Sequence, residues 1–278
     1  MDAANSQLST NDSQLAPAIQ LRLTFLGTGT SQGVPMIRCK CAVCRSSDPR
    51  DQRTRASIYL ETPDGCYVVD TGTDFRSQCL REEIWQVDAA IMTHAHTDHI
   101  MGFDDLRRFA APRGGRMPVY ASAETMADLE RVYQFAFKGT NPFPGYLKPE
   151  PHIICRPFSL GKTQVVPLPV PHGNAETNGY LFARDGRKLL AYLSDCSAVP
   201  AEIGQKIRGV ELLVIDALRH QPHPTHLSVA QALEVRDRVQ PARTLFTHIC
   251  HDLPQSAESE LPATVGIAYD GLKVDFLA

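Results

Sequence analysis

Apolar and polar residues alternate along the first part of the chain in a way that predicts extended strands. Residues 21–26 read Leu-Arg-Leu-Thr-Phe-Leu, with an apolar side chain at nearly every second position, the period of a half-buried strand. Residues 56–61 and 66–70 flank the sequence Thr-Pro-Asp-Gly and predict a hairpin across that turn. Residues 89–93 form a short apolar run, which predicts a buried strand.

The rest of the chain mixes helical and extended patterns. The apolar spacing within residues 125–137 predicts a helix. Further apolar runs predict strands at residues 164–170, 179–183, 188–193, 211–216 and 243–247. Ser228 is followed three residues later by Gln231, which predicts a capping box and a helix that begins there. The residues with metal-binding side chains fall at the ends of these strands or in the loops after them, where sites on layered folds collect.

Composition and charge agree with a compact enzyme. The chain has 278 residues, 43% hydrophobic and 21% charged, which predicts a sizeable core in one domain over residues 21–278. The net charge of −3 gives no basic excess for nucleic acid or an anionic membrane, so we expect no stable nucleic-acid partner and no membrane association. Residues 1–20 are polar and lack the pattern of a signal peptide, which predicts a disordered tail and a cytoplasmic location.

Four metal-ligand side chains follow the predicted strand at residues 89–93. His94 and His96 are two positions apart, so on an extended segment they face the same way. Asp98 and His99 come where we expect the chain to turn into a helix, which allows them to point at a second ion. Imidazole and carboxylate ligands accept zinc, manganese and iron.

This run resembles the signature of the metallo-β-lactamase-fold hydrolases. Further parts of that family's pattern follow in order, because Asp70 ends a strand before the run, while His172, Asp195 and His248 come after it. The resemblance covers roughly residues 21–252. It implies a four-layer αββα sandwich of the α/β class with two divalent metals. The implied ligands are His94, His96 and His172 for one metal, Asp98, His99 and His248 for the other, and Asp195 as the bridge.

The eight cysteines fall into one cluster and several scattered positions. Cys39, Cys41 and Cys44 form a C-x-C-x-x-C cluster, and in a reducing cytoplasm clustered thiols are typical of a metal site. Three thiolates leave a tetrahedral zinc one ligand short, and His251 can supply it because it lies three residues after His248. A redox cluster or a merely surface cluster is the alternative. We expect the scattered cysteines to be small core residues.

The cysteine cluster together with His251 is similar to the PhnP group within this fold. Those proteins are phosphodiesterases that act on a phosphoribosyl cyclic phosphate and carry a structural zinc beside two catalytic metals. The resemblance therefore implies a small phosphodiester substrate, such as a phosphoribosyl cyclic phosphate or a cyclic nucleotide, and it suggests a homodimer. Two zinc or manganese ions about 3.5–4 Å apart would share a water and lower its pKa toward about 7, giving a hydroxide that attacks phosphorus.

The expected catalytic residues are Asp98 and His226. The PhnP-like group uses the His that matches His226 as its general acid, and imidazole suits this task because its ordinary pKa is about 6.5. His223 supports His226 or contacts phosphate, or it is solvated at the surface. Asp70 either orients a ligating His through a hydrogen bond or simply ends a strand.

Two other features have competing interpretations. Arg107 and Arg108 follow the metal run and offer a guanidinium to a substrate phosphate. A helix-surface ion pair between Asp104 and Arg108 is the stronger prediction. The Pro/Gly loop at residues 139–149 carries Phe143 and Tyr146, which would form either a lid over the substrate or ordinary packing.

Three rival functions remain open from sequence alone. A tRNA 3′-processing endonuclease shares the H-x-H-x-D-H run, but this chain is acidic overall and has no evident long basic arm. A cyclic-nucleotide phosphodiesterase is a close variant of the main hypothesis. A non-catalytic metal-binding protein would have the metal ligands but no need for a proton donor such as His226.

Overall fold

The protein folds as two β-sheets packed face to face, with helices on both outer faces. The structure, a computed structural model, describes residues 19–138 and 145–278, apart from the side chain at position 176. The strands are β1 Ile19–Gly27, β2 Ser57–Thr62, β3 Gly65–Val69, β4 Ala89–Ile91, β5 Arg116–Ala121, β6 Lys148–Ile153, β7 Phe158–Leu160, β8 Thr163–His172, β9 Ala175–Arg184, β10 Arg187–Leu193, β11 Leu212–Asp216, β12 Arg243–Thr247, β13 Val265–Ile267 and β14 Lys273–Leu277. The α-helices are α1 Phe75–Arg81, α2 Thr97–Ile100, α3 Arg107–Ala110, α4 Ala123–Val132, α5 Gln134–Phe137, α6 Ala201–Ile207 and α7 Val229–Val239.

Each sheet combines an antiparallel part with a parallel part. The first sheet has the order β14-β1-β2-β3-β4-β5-β6 and the second has the order β13-β12-β11-β10-β9-β8-β7. Strands β3 to β6 are parallel in the first sheet, and strands β10 to β13 are parallel in the second. Loops that leave the carboxyl ends of parallel strands meet at one edge of their sheet, which places the loops after β4, β10, β11 and β12 where a site can form.

The alternation along the strands separates three apolar layers. On β2, Ile58 and Leu60 enter the core between the two sheets, while Tyr59 between them packs on the helices of the first sheet. On β10, Tyr192 belongs to the core between the sheets and Leu193 packs on the side of α6 and α7. Since both faces of these strands are buried, both positions of the period-2 pattern are apolar. The predicted αββα sandwich is confirmed.

Hydrogen bonds between the two sheets fix the segment that carries the metal run. The buried Tyr180 hydroxyl on β9 donates to the carbonyl of Met92, just after β4, at 2.6 Å. The backbone N–H of Asn178 donates to the carbonyl of Thr93 at 3.1 Å. The chain is therefore bonded to β9 at two successive residues immediately before His94, and the position of that residue depends on the packing of one sheet on the other.

Most of the predicted elements are confirmed, with differences at their ends. Thr62 pairs with Gly65 in the predicted hairpin, and Ser228 caps α7 in the predicted capping box with Gln231. The single helix predicted over residues 125–137 was wrong in one respect, because Tyr133 leaves helical geometry (φ −108°, ψ 38°) between α4 and α5. Its hydroxyl instead donates to the carbonyl of Ile100 at 2.8 Å.

The predicted N-terminal tail was two residues too long. β1 begins at Ile19, which pairs with Leu277 on β14. This partner comes from the far end of the chain, so the local pattern did not reveal the pairing. The rest of the predicted tail lies outside the described residues. Among the residues that the structure describes, no helix has both the length and the apolar character needed to cross a membrane.

The scattered cysteines are only in part the core residues that we expected. Cys79 and Cys196 are buried, Cys66 and Cys250 are half-buried, and Cys155 is exposed. Cys155 follows the edge strand β6 at the rim of the first sheet, where one side of the backbone faces no neighbouring strand. The cysteines are all free thiols.

Candidate metal centre and catalytic site

The structure brings the predicted ligands of both catalytic metals together in one cleft. His94 and His96 follow β4, and α2, which begins at Thr97, presents Asp98 and His99. The remaining three come from the second sheet, where His172 ends β8, Asp195 follows β10 and His248 follows β12. The cleft between the two sheet edges has a volume of about 550 Å³.

Three imidazoles form the first group of ligands. The ring nitrogens of His94, His96 and His172 lie within 4.8 Å of one another, and His94 Nε2 is 2.9 Å from His96 Nδ1. Burial lowers the pKa of His94 well below its ordinary value, and burial also lowers the pKa of His96 and His172. These rings are therefore neutral at pH 7, the state in which an imidazole nitrogen can bind a metal.

Asp98, His99 and His248 form the second group, and Asp195 lies between the two groups. Asp195 Oδ2 is 3.3 Å from His99 Nε2, and Asp195 Oδ1 is 3.0 Å from His248 Nε2. The same carboxylate also groups with His94 and His99 as a possible ligand set. Asp195 therefore lies within reach of side chains from both groups.

The polar atoms of this cluster fit divalent cations. His99 Nε2, His248 Nε2 and Asp195 Oδ2 are buried without a hydrogen-bond partner, an arrangement that costs free energy unless another group satisfies them. Although burial alone would lower the pKa of His99, the negative charge of Asp195 and Asp98 raises it well above its ordinary value. The negative charge that favours a proton on this ring would equally favour a metal ion.

Asp70 lies directly behind the second group. Its Oδ2 is 2.7 Å from His99 Nδ1, and its Oδ1 accepts the backbone N–H of Thr93 at 2.8 Å. The Thr93 hydroxyl donates to Asp70 Oδ2 at 2.7 Å. With Nδ1 held by Asp70, the His99 ring is fixed so that Nε2 faces Asp98 and Asp195. Of the two roles considered for Asp70, this geometry corresponds to the hydrogen bond that orients a neighbouring His.

The cysteine cluster and His251 also meet. The Sγ atoms of Cys39, Cys41 and Cys44 lie 3.1, 3.6 and 3.5 Å from His251 Nδ1. Three thiols and one imidazole in this arrangement fit a tetrahedral zinc. The backbone N–H of Ile249 donates to the carbonyl of Thr28 at 2.9 Å, so the loop that leads to the cysteines is joined to the strand end that bears His248.

His226 stands beside the ligands of both groups. Its ring stacks on that of His248 with centroids 4.6 Å apart, and it meets the edge of His172 at 4.7 Å. His223 is a neighbour with ring centroids 5.2 Å apart, and its Nδ1 lies 3.1 Å from the Thr225 hydroxyl. His223, Thr225 and His226 all line the cleft.

Asp216 is a residue of this site that the sequence reasoning missed. Its Oδ2 lies 2.7 Å from His226 Nδ1, and it is fully buried at the end of β11. Burial raises the pKa of Asp216 well above its ordinary value. Burial, and then the neighbouring His248, lower the pKa of His226 to about 4. The sequence did contain a signal for Asp216. Val214-Ile215-Asp216 is an apolar strand that ends in Asp, which is the same pattern by which Asp70 was identified.

The arginines after the metal run do not reach the cleft. The ion pair predicted between Asp104 and Arg108 was wrong, since Asp104 instead pairs with Arg107 at 3.2 Å. The reason is that residues Phe103–Leu106 form a 3₁₀ helix, in which positions three apart lie above each other. Arg108 lines a groove beside α1, and neither arginine is among the described residues that line the catalytic cleft.

The loop at residues 139–149 is described only in part. Phe143 lies outside the described residues. Tyr146 packs its ring against Phe135 with centroids 6.0 Å apart. Tyr146 is not among the described residues that line the catalytic cleft, so its observed contact corresponds to the packing alternative.

Comparison with known proteins agrees with this geometry. The family described as "Beta-lactamase superfamily domain" matches residues 66–249. A solved structure described as a new diphosphatase from the PhnP family is 41% identical, with a TM-score of 0.84 over 92% of this chain and 97% of that chain. The octanoyltransferase of Porphyromonas gingivalis (strain ATCC BAA-308 / W83) is 33% identical over 91% of this chain, which spans only 51% of that relative's length. The zinc-bound PqqB of Methylobacterium extorquens shares the fold, with a TM-score of 0.76 at 20% identity over 92% of this chain and 100% of that chain.

Proposed function

The chain belongs to the β-lactamase superfamily and to the PhnP family, and we propose that this metal-dependent hydrolase cleaves a small phosphodiester. The favoured substrates are cyclic, such as a phosphoribosyl cyclic phosphate or a cyclic nucleotide. The observation that carries the proposal is the position of His226. A proton donor beside a cluster of metal ligands is what hydrolysis of a poor leaving group requires, and a scaffold or storage site does not need one.

The chain's own ligands would hold two divalent ions, zinc or manganese, in this cleft. His94, His96 and His172 would hold the first ion. Asp98, His99 and His248 would hold the second, and Asp195 would contact both. When bound, such ions activate water and neutralise negative charge on the phosphoryl oxygens. Asp70 keeps the His99 ring in the orientation that this binding needs, through the 2.7 Å bond to Nδ1.

The proton for the leaving oxygen comes from His226. Asp216 Oδ2 and His226 Nδ1 are 2.7 Å apart and share one proton. Burial raises the pKa of Asp216 and lowers that of His226 to about 4, which favours that proton on Asp216. With that proton on Asp216, the neutral His226 ring carries its own proton on Nε2. As the phosphorus–oxygen bond breaks, Nε2 gives its proton to the leaving oxygen and Nδ1 takes the proton of Asp216. A water supplies the oxygen that phosphorus gains, and the proton that this water gives up returns through solvent to Asp216, which restores the starting state.

Hydrolysis of a diphosphate is the second candidate function. It is favoured by the 41% identity to the PhnP-family diphosphatase, and the same ligands and the same proton donor would serve a P–O–P bond. The two candidates differ in the leaving group, which is an alcohol in one and a phosphate in the other.

A substrate panel tests the proposal. Metal-loaded protein should hydrolyse bis(p-nitrophenyl) phosphate, and among natural classes it should prefer cyclic ribose phosphates or cyclic nucleotides to nucleoside diphosphates and tRNA precursors. Preference for tRNA precursors would instead favour the 3′-processing alternative. Protein with a full metal content but no activity on any member of the panel would point to a non-catalytic metal-binding function.

A further inference from the structure

The His223 ring is bonded to the chain two residues further on. The backbone N–H of Thr225 donates to His223 Nδ1 at 3.3 Å, and the Thr225 hydroxyl lies 3.1 Å from the same nitrogen. A side chain that accepts the N–H of the residue two positions on closes a local turn, as Asn or Asp does in an Asx-turn. Pro222 and Pro224 flank His223 and restrict the backbone on both sides of it. The prolines and the ring therefore both limit the conformational freedom of this turn.

These contacts determine the tautomer of His223. A backbone N–H can only donate, so Nδ1 is the unprotonated nitrogen and the proton of the neutral ring lies on Nε2. Burial and the neighbouring His226 lower the pKa of His223, which agrees with a neutral ring. A protonated ring would instead place its Nδ1 proton against the N–H of Thr225.

The carbonyl of Thr225 orients one of the metal ligands. His172 Nδ1 lies 2.9 Å from this oxygen. Because a carbonyl oxygen can only accept, the neutral His172 ring carries its proton on Nδ1 and leaves Nε2 free for a metal. A Cβ added at Gly173 would lie 2.8 Å from Thr225 Cγ2, so the two segments are also in close contact. Thr225 thus holds His172 as Asp70 holds His99.

The same peptide group leads into the proton donor. The Thr225 carbonyl belongs to the planar peptide bond that joins Thr225 to His226, so a rotation of this peptide would move the oxygen at His172 and the backbone of His226 together. Beyond His226, the chain is held where the N–H of Leu218 donates to the carbonyl of Leu227 at 3.0 Å. Before His226, it is held where the N–H of Thr225 donates to His223.

We propose that His223 is a positioning residue. By accepting the Thr225 N–H at Nδ1, it fixes the peptide that orients the metal ligand His172 and leads into the proton donor His226. This proposal rests on the proposed phosphodiesterase function for its effect on His226, whereas its effect on His172 concerns metal binding and does not depend on the substrate. The role differs from contact with a substrate phosphate, which would use the Nε2 proton of His223.

Two substitutions separate the two ring nitrogens of His223. Asn offers an oxygen near the position of Nδ1 and can accept the Thr225 N–H, but it has no atom at the position of Nε2. Gln reaches the position of Nε2 with an amide N–H, but it leaves the Thr225 N–H without this acceptor. His223→Asn should therefore keep the positioning role, and His223→Gln and His223→Ala should lose it. His220→Asn changes an exposed histidine of the same loop and is the matched control.

Metal affinity is the measurement that does not depend on activity. Mn²⁺ is titrated into protein whose cleft has been emptied of ions, because thiolates select softer metals and the cysteine cluster then does not compete. His223→Ala and His223→Gln should weaken Mn²⁺ binding by about tenfold, the lower end of the range for losing a group that orients a metal ligand. At saturating Mn²⁺, the same two variants should lower kcat for an alkyl phosphodiester by about tenfold with KM unchanged. His223→Asn and His220→Asn should match the wild type in both measurements.

Three results would overturn the positioning role. Wild-type behaviour of His223→Gln together with a raised KM in His223→Asn would assign the Nε2 proton to the substrate. Wild-type Mn²⁺ binding and kcat in His223→Ala would show that the bond from Thr225 has no effect on the site. Equal losses in all three variants, Asn included, would assign the effect to packing of the ring. If the wild type hydrolyses no phosphodiester, the proposed function fails, and the Mn²⁺ affinities alone decide the role of His223.

Discussion

Asp216 Oδ2 lies 2.7 Å from His226 Nδ1, and both side chains are shielded from solvent, with Asp216 fully buried and His226 11% exposed. The carboxyl enters the site from β11 and the imidazole from the segment that precedes α7. Their pKa values shift in opposite directions because burial disfavours the charged form of each. Both shifts favour the neutral forms of the two groups, and the contact at Nδ1 leaves only Nε2 of His226 for the substrate.

Removing either member of this pair should slow the reaction without loss of metal. We expect His226→Ala and Asp216→Asn each to lower kcat about 10²–10⁴-fold, the usual range for a lost general acid. The Asn side chain can still donate to Nδ1, but it cannot transfer a proton. The double variant should be no slower than the worse single variant, because the two residues act as one unit.

Leaving-group dependence separates this role from a structural one. The decrease in kcat should be small for p-nitrophenyl esters, because their leaving group needs little protonation. It should reach the full value of about 10²–10⁴-fold for alkyl esters. An equal loss for both kinds of ester would assign His226 to positioning of the phosphate instead. Elemental analysis of each variant should give the wild-type metal content.

Replacement of a metal ligand should lower the metal content together with the activity, unlike the changes at His226 and Asp216. Asp195→Ala and His96→Ala should abolish phosphodiesterase activity and lower the metal content together, because each change removes a side chain that the structure places within a ligand group. Full activity of metal-loaded Asp195→Ala protein would contradict the two-metal mechanism. His152→Ala, a change on the exposed edge strand β6, is the control and should behave as wild type.

The parts of the fold that were predictable from sequence are those whose determinants are local. The strand at Arg243–Thr247 and the capping box at Ser228 were found because their signals lie within a few residues. The extension of β1 to Ile19 was not found, since it depends on β14 from the other end of the chain. The break at Tyr133 was missed for the same reason, because it accompanies a bond to Ile100 in another element.

The candidate site was predictable to the extent that metal chemistry restricts residue types and their order. His94 was identified from the metal run itself, and His172 and His248 were identified because they match the order of ligands in the family that the run resembles. Asp216 was missed because a carboxylate at a strand end has several uses, and only the fold shows that it faces His226. The pairing of Asp104 with Arg107 was missed because sequence spacing does not distinguish a 3₁₀ turn from an α-helical one.

A close backbone approach at Gly72 supports the metal run. A Cβ at this position would lie 2.0 Å from the carbonyl oxygen of Asp98, and the neighbouring Thr71 N–H donates to the carbonyl of His99 at 2.7 Å. Gly72→Ala should therefore push α2 away, lower the free energy of unfolding by about 1–3 kcal/mol and weaken metal binding. Urea unfolding and metal titration measure the two effects. Gly204→Ala in α6, where a Cβ meets no atom within 4 Å, should leave metal binding unchanged and should not lower the free energy of unfolding, because Ala favours a helix more than Gly does.

The thiols of the cysteine cluster should differ in reactivity once metal is removed. The backbone N–H of Cys44 donates to Cys41 Sγ and lowers the pKa of Cys41 to about 7, while burial raises the pKa of Cys44 to about 11. Since the thiolate is the reactive form, alkylation of Cys41 by iodoacetamide should rise through pH 7 and level off above it, with Cys44 much slower at pH 8. Peptide mass spectrometry measures both rates, and the exposed Cys155 is an internal reference. Faster modification of Cys44 than of Cys41 would contradict the prediction.

The last prediction concerns the zinc that Cys39, Cys41, Cys44 and His251 should hold. Four protein ligands close a tetrahedron, so this zinc should support the structure and take no part in the reaction. Wild-type protein purified under reducing conditions should contain about three metals per chain, two in the cleft and one here. Cys41→Ser should lose about one zinc per chain and melt at a lower temperature, because the loop bonded to Ile249 beside His248 loses its anchor. Its activity should fall only to the extent that loss of this zinc displaces His248. Cys155→Ser should match the wild type in metal content, melting temperature and activity. A Cys41→Ser protein with the full metal content and the wild-type melting temperature would show that the three thiols do not form a zinc site.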